Sequence, residues 1–253
     1  MTTLGSVQVL GTAFFSTRHA TAQDALAGRE RPFTAPACGL LVGRARRFTS
    51  LVTQMHIEVC GEVCGGLPAD AAGPPISVFA TYHGEIQTAE KLISDFREAA
   101  LVSSARFAQS VHNTPSGVYA VATGNTAPTT TITGANAIAA GWLEALLTAL
   151  DAERRVLLSI ADEPVPAAFG GPGEAVGVAA AFLLGAAPAT GRRAELAMRP
   201  CRIEPVDPWQ GPLHLLARAA EASRGDEPAT VALGSIQPGT ALELRFPSQD
   251  ACA

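Results

Sequence analysis

Residues 128–150 read PTTTITGANAIAAGWLEALLTAL. The β-branched run Thr129 to Thr133 favours an extended chain, since branching at Cβ restricts χ1 in a helix and packs well on a pleated surface. Gly134 ends that strand. From Asn136 to Leu150 almost every residue is Ala, Ile, Trp or Leu, which predicts a helix buried on most sides. Working outward, Ile76 to Thr81 is a short buried strand, and Gly84 to Ala100 carries Ile86, Ala89, Leu92, Ile93 and Phe96 at helical spacing. Phe107 to Thr123 is a second helix, with Phe107, Val111, Val118 and Val121 apolar and Pro115 set to kink or open it. Towards the amino terminus, Val7 to Leu10 alternates and stops at Gly11, reading as a first strand. Residues 16–43 show no period and read as loop. From Ala45 to Gly61 the set Phe48, Leu51, Val52, Met55 and Val59 marks an amphipathic helix, and Leu67 to Pro75 is a proline-rich turn. Downstream come buried strands at Arg155 to Ala161 and Ala175 to Leu184, separated by the Gly/Pro loop Phe169 to Gly173. A strand near Glu195 to Ile203, a helix from Pro212 to Ala222 and a terminal strand Ala241 to Phe246 follow. This alternation predicts an α/β layered sheet of buried, mostly parallel strands, in a single domain over residues 1–253.

Composition narrows the function. The 253 residues are 47% hydrophobic and only 16% charged, which excludes a disordered or fibrous chain. Eighteen basic against twenty-three acidic residues give a net charge of −5, with no surplus to neutralise phosphates, so nucleic acid is not an expected partner. All but one of the basic residues are Arg; Lys91 is the exception. The amino terminus shows no basic stretch followed by an apolar core, and the longest apolar run, Val176 to Ala187, falls short of the roughly 20 residues a membrane span needs. Five irregularly spaced cysteines (Cys38, Cys60, Cys64, Cys201, Cys252) fit a reduced, cytoplasmic protein rather than a disulfide framework.

Several residue groups are candidates for chemistry. His56, Cys60 and Cys64 share a helix face and form a possible partial zinc site, although buried cysteines also serve as small hydrophobes; no metal and no cofactor is expected. Gly171-Pro172-Gly173 has the wrong spacing for a dinucleotide loop and leads into a strand. Asp162-Glu163 closes a strand, where carboxylates can be catalytic or hold a metal but more often cap the strand and face water, which is the expectation here. Glu85, in His83-Gly84-Glu85, is expected to cap the helix that follows, where negative charge suits the positive helix end. Ser110 and Ser116, with His112 or His83, could supply a nucleophile and base, though neither serine sits in a G-x-S-x-G elbow.

The order of these segments carries a resemblance. Ala80-Thr81-Tyr82-His83-Gly84-Glu85, then Ser110-Val111-His112-Asn113-Thr114-Pro115-Ser116-Gly117, then the strand and Ala-rich helix of Pro128 to Gly141, then Ala161-Asp162-Glu163-Pro164, resemble short ketosynthase-like chain length factors of aryl polyene and xanthomonadin-type pigment clusters. The resemblance implies a thiolase-like α/β fold reduced to roughly one of its two usual halves. In ketosynthases the nucleophilic cysteine opens the buried helix after a strand; here Thr133-Gly134-Ala135-Asn136 places Asn136 there. An amide cannot form the thioester of acyl transfer. The family's two further histidines and lysine are missing too: after His112 only His214 remains, and no lysine follows Lys91.

The resemblance therefore implies a chain that does not condense acyl groups by itself, but pairs with a full-length β-ketoacyl synthase and shapes the tunnel for chains delivered on acyl carrier protein. It implies that Thr129 to Thr133, including Thr131 and Thr133, and the Asn136 helix face the partner, with Phe107, Val111, His112 and Tyr119 near the tunnel. Two rivals remain open at this point: a standalone acyltransferase or thioester hydrolase using the Ser/His groups, and a homodimeric scaffold binding acyl carrier protein.

Overall fold

The computed structural model describes residues 2–65, 73–152, 154–172, 176–186, 192–200, 211–237 and 239–248. Its elements in chain order are β1 (Thr2–Ser16), α1 (Ala22–Leu26), α2 (Arg44–Phe48), α3 (Leu51–Cys64), β2 (Ile76–Thr81), α4 (Ile86–Ala99), α5 (Ser104–Ala108) and α6 (Thr114–Thr123). They continue with β3 (Thr129–Thr133), α7 (Ala137–Ala152), β4 (Val156–Asp162), β5 (Val178–Ala186), β6 (Arg193–Pro200), α8 (Gly211–Arg224), β7 (Ala229–Gln237) and β8 (Thr240–Phe246). All the strands join one sheet in the order β3-β2-β4-β5-β1-β6-β8-β7.

The strand β2, the helix α4 and the long helix α7 lie where periodicity places them. The expectation of mostly parallel strands is corrected. Only β2 runs parallel to its neighbours, β3 and β4; the pairs β4–β5, β5–β1, β1–β6, β6–β8 and β8–β7 are antiparallel. Parallel neighbours need a crossover, and helices α4 to α6 and α7 supply them between β2, β3 and β4. Beyond β4, the described connection to β5 contains only the 3₁₀ turn Ala167–Phe169, and the chain doubles back.

Local chemistry explains the other departures. The expected helix 45–61 is two helices, because Thr49 is extended and the Ser50 hydroxyl accepts from the Thr53 N–H, starting α3 afresh. Phe48 is consequently exposed rather than core. The segment expected as loop from 16 to 43 contains α1, capped by Thr21. The expected helix 107–123 is divided into α5 and α6, with Pro115 in the first turn of α6, where its missing N–H costs nothing. β1 is longer than Val7 to Leu10, and β7 had no counterpart in the reading of the sequence. Residues 67–72 of the expected turn, Ala175, the end of the strand expected to reach Ile203, Cys201 and Cys252 lie outside the described residues.

Both faces of the sheet are covered, which makes three layers. Val78, Ala80, Val156, Leu158, Ile160 and Phe182 pack with Trp142 and Leu146 of α7 and Leu216 of α8 in one core. Their neighbours Phe79, Leu157, Ala161 and Leu183 enter the opposite core with Val52, Met55 and Val59 of α3. Period-two alternation with both faces buried makes every residue of β4 buried. Helix α7 lies so close to β2 that a Cβ on Gly141 would stand 2.9 Å from the Ala80 Cβ. Among the described residues no helix is long and apolar enough to cross a membrane.

Candidate functional site

The carboxyl ends of β2, β3 and β4 lie side by side, and the chain leaving each carries the residues singled out above. At the end of β4, Asp162 accepts hydrogen bonds from the Thr81 hydroxyl at 2.9 Å, the Tyr82 N–H at 2.8 Å and the His83 N–H at 3.0 Å, which pins the turn after β2. Glu163 accepts from the Val52 N–H at 3.1 Å and the Gln87 N–H at 2.9 Å. One carboxylate thus caps two helices, α3 and α4, at their positive ends. Glu85 accepts from the Thr53 hydroxyl at 2.6 Å and the Thr88 hydroxyl at 3.1 Å.

These three acids correct two expectations. Asp162 and Glu163 are buried at the convergence of strand ends and helix starts, where main-chain N–H groups replace water. Glu85 makes no main-chain cap, because Glu163 already takes the Gln87 N–H. Burial dominates their titration and outweighs the hydrogen bonds: it pushes Asp162 up to about 6 and Glu163 up to about 8, the latter helped by the nearby charges of Glu85 and Asp162, and it also raises Glu85.

Beside this knot is a cleft of about 420 Å³. Tyr82 and His83 from the β2–α4 turn, Val111 and His112 from the turn before α6, Thr133 from the end of β3 and Phe169 from the 3₁₀ turn are among its walls. Gly84 in the turn after β2 adopts φ +63°, a left-handed conformation that glycine takes without strain. Of the candidates read from the sequence, the cleft brings together Val111, His112 and Thr133, and also His83 and Ser110. Phe107, Tyr119, Thr131 and Asn136 lie outside its lining. Phe107 is exposed, whereas Tyr119 is buried against Phe79, with ring centroids 5.8 Å apart, and its hydroxyl donates to Cys64 Sγ. The Thr131 hydroxyl donates to Ser116 Oγ at 3.2 Å. Asn136 is exposed immediately before α7, and its carbonyl accepts from the Ala140 N–H. Tyr82 and Phe169 are cleft walls that the sequence did not disclose. Tyr82 follows a strand end as one ordinary position, and Phe169 belongs to a Gly/Pro loop with no period.

The remaining candidates have other occupations. Ser110 donates to the Phe107 carbonyl and Ser116 to the Asn113 carbonyl, the bonds expected of turn and helix-start hydroxyls. His56 Nδ1 meets Ser159 Oγ at 2.8 Å in the core, and burial lowers its pKa to about 3. The same burial raises the Cys60 and Cys64 thiols, so neither is a ready thiolate. Among the described residues no three His, Cys, Asp or Glu side chains group as a metal site.

The fold is similar to those of solved ketosynthase structures. A chain in the structure of the ketosynthase ApeO in complex with its chain length factor ApeC, from Xenorhabdus doucetiae, superposes with a TM-score of 0.71 at 15% identity, covering 95% of this chain and 99% of that one. The ishigamide ketosynthase/chain length factor gives 0.66 at 13% identity over 96% of this chain and 100% of that one. A β-ketoacyl synthase from Burkholderia phymatum STM815 gives 0.54 at 11% identity over 79% and 66%. The fold is therefore the thiolase-like, ketosynthase-type α/β layer, at about half the usual size. The family model of the β-ketoacyl synthase N-terminal domain matches residues 20–224, and the chain belongs to that family. No curated protein matches the sequence.

Proposed function

We propose that this chain is a non-catalytic chain length factor that pairs with an active β-ketoacyl synthase and shapes the tunnel receiving the growing acyl chain. The observation that carries the reading is Asn136 at the entry to α7 after β3; by resemblance, this is the position of the family's nucleophilic cysteine. An amide at that point holds no acyl group, so the condensing cysteine must come from a second subunit. The free edge of the sheet supports this. β3 is a terminal strand of five residues without Lys, Pro or bulge, and such an edge is a template for another strand. That the chain matched in the ApeO/ApeC complex is covered almost end to end, and is thus about as short as this one, points the same way. In this reading the pair works in the cytoplasm on substrates carried by acyl carrier protein, in aryl polyene or related polyketide or fatty-acid-type biosynthesis.

Co-expression with a ketosynthase encoded beside it, followed by size-exclusion chromatography, tests the pairing. The expected result is a stable co-eluting pair whose product length changes when this chain is left out. Separate elution with unchanged product would sink the proposal. Thioester turnover by the purified chain that is lost in His112→Ala would instead favour a standalone hydrolase, and carrier binding by a homodimer would favour a scaffold.

A further inference from the structure

We infer that the strap of residues 39–48, laid across the outer face of α3, is a membrane-surface contact that docks reversibly on anionic phospholipid headgroups. The inference is independent of the pairing proposed above. It starts from charge. Residues 31–57 contain no acidic side chain, but they contain Arg31, Arg44, Arg46 and Arg47. The whole chain carries −5, so the remaining residues carry −9 and this segment stands apart as cationic.

The fold holds that charge at the surface. Helix α3 turns Val52, Met55 and Val59 into the core and Gln54, Glu58 and Gly61 to its other side. The strap is tied down there: the Cys38 N–H donates to the Glu58 carboxylate, and Gln54 Nε2 donates to the Arg46 carbonyl at 3.1 Å and the Thr49 carbonyl at 3.0 Å. The Arg46 guanidinium donates to the Pro36 carbonyl at 2.8 Å. The Gln54 and Glu58 bonds engage main-chain groups, so the side chains at the tip of the strap still face outward. Val42 is 78% and Phe48 64% exposed, beside exposed Arg46 and Arg47. Among the described residues neither of these arginines forms an ion pair.

Basic side chains next to outward apolar ones make an interfacial anchor: the cations meet headgroup charge, and the apolar groups enter the boundary with the acyl chains. An acidic protein offers the same charge, but a stable protein interface takes about 20–30 residues a side. The cationic strip is far shorter, because the groove that Arg47 and Phe48 border is walled by Glu90, Asp95 and Glu98 of α4. A fluid headgroup layer needs no matching contour beyond the strap.

The test is co-sedimentation of the full chain with vesicles of phosphatidylcholine alone or of an equal mixture with phosphatidylglycerol. The protein should pellet with the mixed vesicles only and be released as salt is raised, since the reach of exposed charges shrinks to about 3 Å at 1 M. Arg47→Glu exchanges a cation for an anion and should weaken binding about tenfold or more. Phe48→Ser should weaken it without changing its salt dependence. Both side chains are exposed, so the circular dichroism of each variant should match the wild type. No binding to the mixed vesicles, equal binding to both kinds, or full binding by both variants would overturn the inference. Retention on immobilised polyglutamate without binding to vesicles would overturn it in favour of an acidic protein partner.

Discussion

Glu163 uses each carboxyl oxygen to accept from a different helix, and an amide in its place cannot, because its nitrogen accepts no hydrogen bond. In Glu163→Gln one oxygen becomes an NH2 group facing an N–H donor, so either Val52 or Gln87 loses its acceptor. An unsatisfied buried donor costs about 1–3 kcal/mol, so the variant should melt several degrees lower by circular dichroism. The pH dependence has a definite sign. Glu163 folds with a pKa of about 8 against an ordinary 4.5, so the folded chain keeps a proton that the unfolded chain has lost, and stability falls as pH rises from about 4.5 to 8. His56, lowered to about 3, contributes in the opposite direction, with stability rising up to its ordinary 6.5. Between about pH 6.5 and 8 the Glu163 effect stands alone of the two. The melting temperature should decline across that window in the wild type and flatten in Glu163→Gln; equal slopes would refute the account. On the proposed reading of Asn136, Asn136→Cys should bring no condensation by the purified chain, because only His214 follows His112 and no lysine follows Lys91. Formation of a condensation product from acyl- and malonyl-carrier substrates would contradict this.

Among the elements, the two edges of the sheet differ in kind. β7 is interrupted by register shifts at Ala232/Gly234 and at Ser235/Gln237, irregularities that spoil an edge for pairing. β3 pairs with β2 without a shift. The Pro128 carbonyl accepts from the Ser77 N–H and the Gly134 N–H donates to the Thr81 carbonyl, so even-numbered residues of β3 bond inward. The main-chain groups of Thr129, Thr131 and Thr133 therefore point to the open side. Thr131→Pro removes one outward donor and no inward one. It should leave the circular dichroism spectrum unchanged while abolishing co-elution with the ketosynthase; retained co-elution would show that pairing uses another surface. This strand was legible from its β-branched run, as α7 was from its apolar length. The break between α2 and α3 was legible in principle, in Thr49-Ser50, but the apolar spacing that continues across it disguised the cap.

For the whole molecule, the sheet's far side depends on a single buried cation. Arg192 donates to the carbonyls of Ala222, Asp226, Glu227 and Pro247, joining the end of α8, the approach to β7 and the chain after β8, while its guanidinium lies 5.4 Å from the centre of the Phe246 ring. Replacing it with Met leaves several carbonyls without a donor. The loss should be at least about 2 kcal/mol, seen as a lower urea midpoint at unchanged slope. An unaltered midpoint would mean that the cation does not hold these segments. Nothing in the sequence around Arg192 marks it out, because its four acceptors lie 30 to 55 residues away.

Local pattern was sufficient for the alternation of strands and helices and for the buried helix α7, since each depends on residues within a few positions of one another. Strand direction, the double capping by Glu163, the burial of Asp162 and the meeting of Tyr82, Val111, Thr133 and Phe169 in one cleft required the tertiary structure. These depend on which distant segments become neighbours, and that is decided by packing two hydrophobic cores on opposite faces of one sheet, a constraint that no short stretch of chain carries alone.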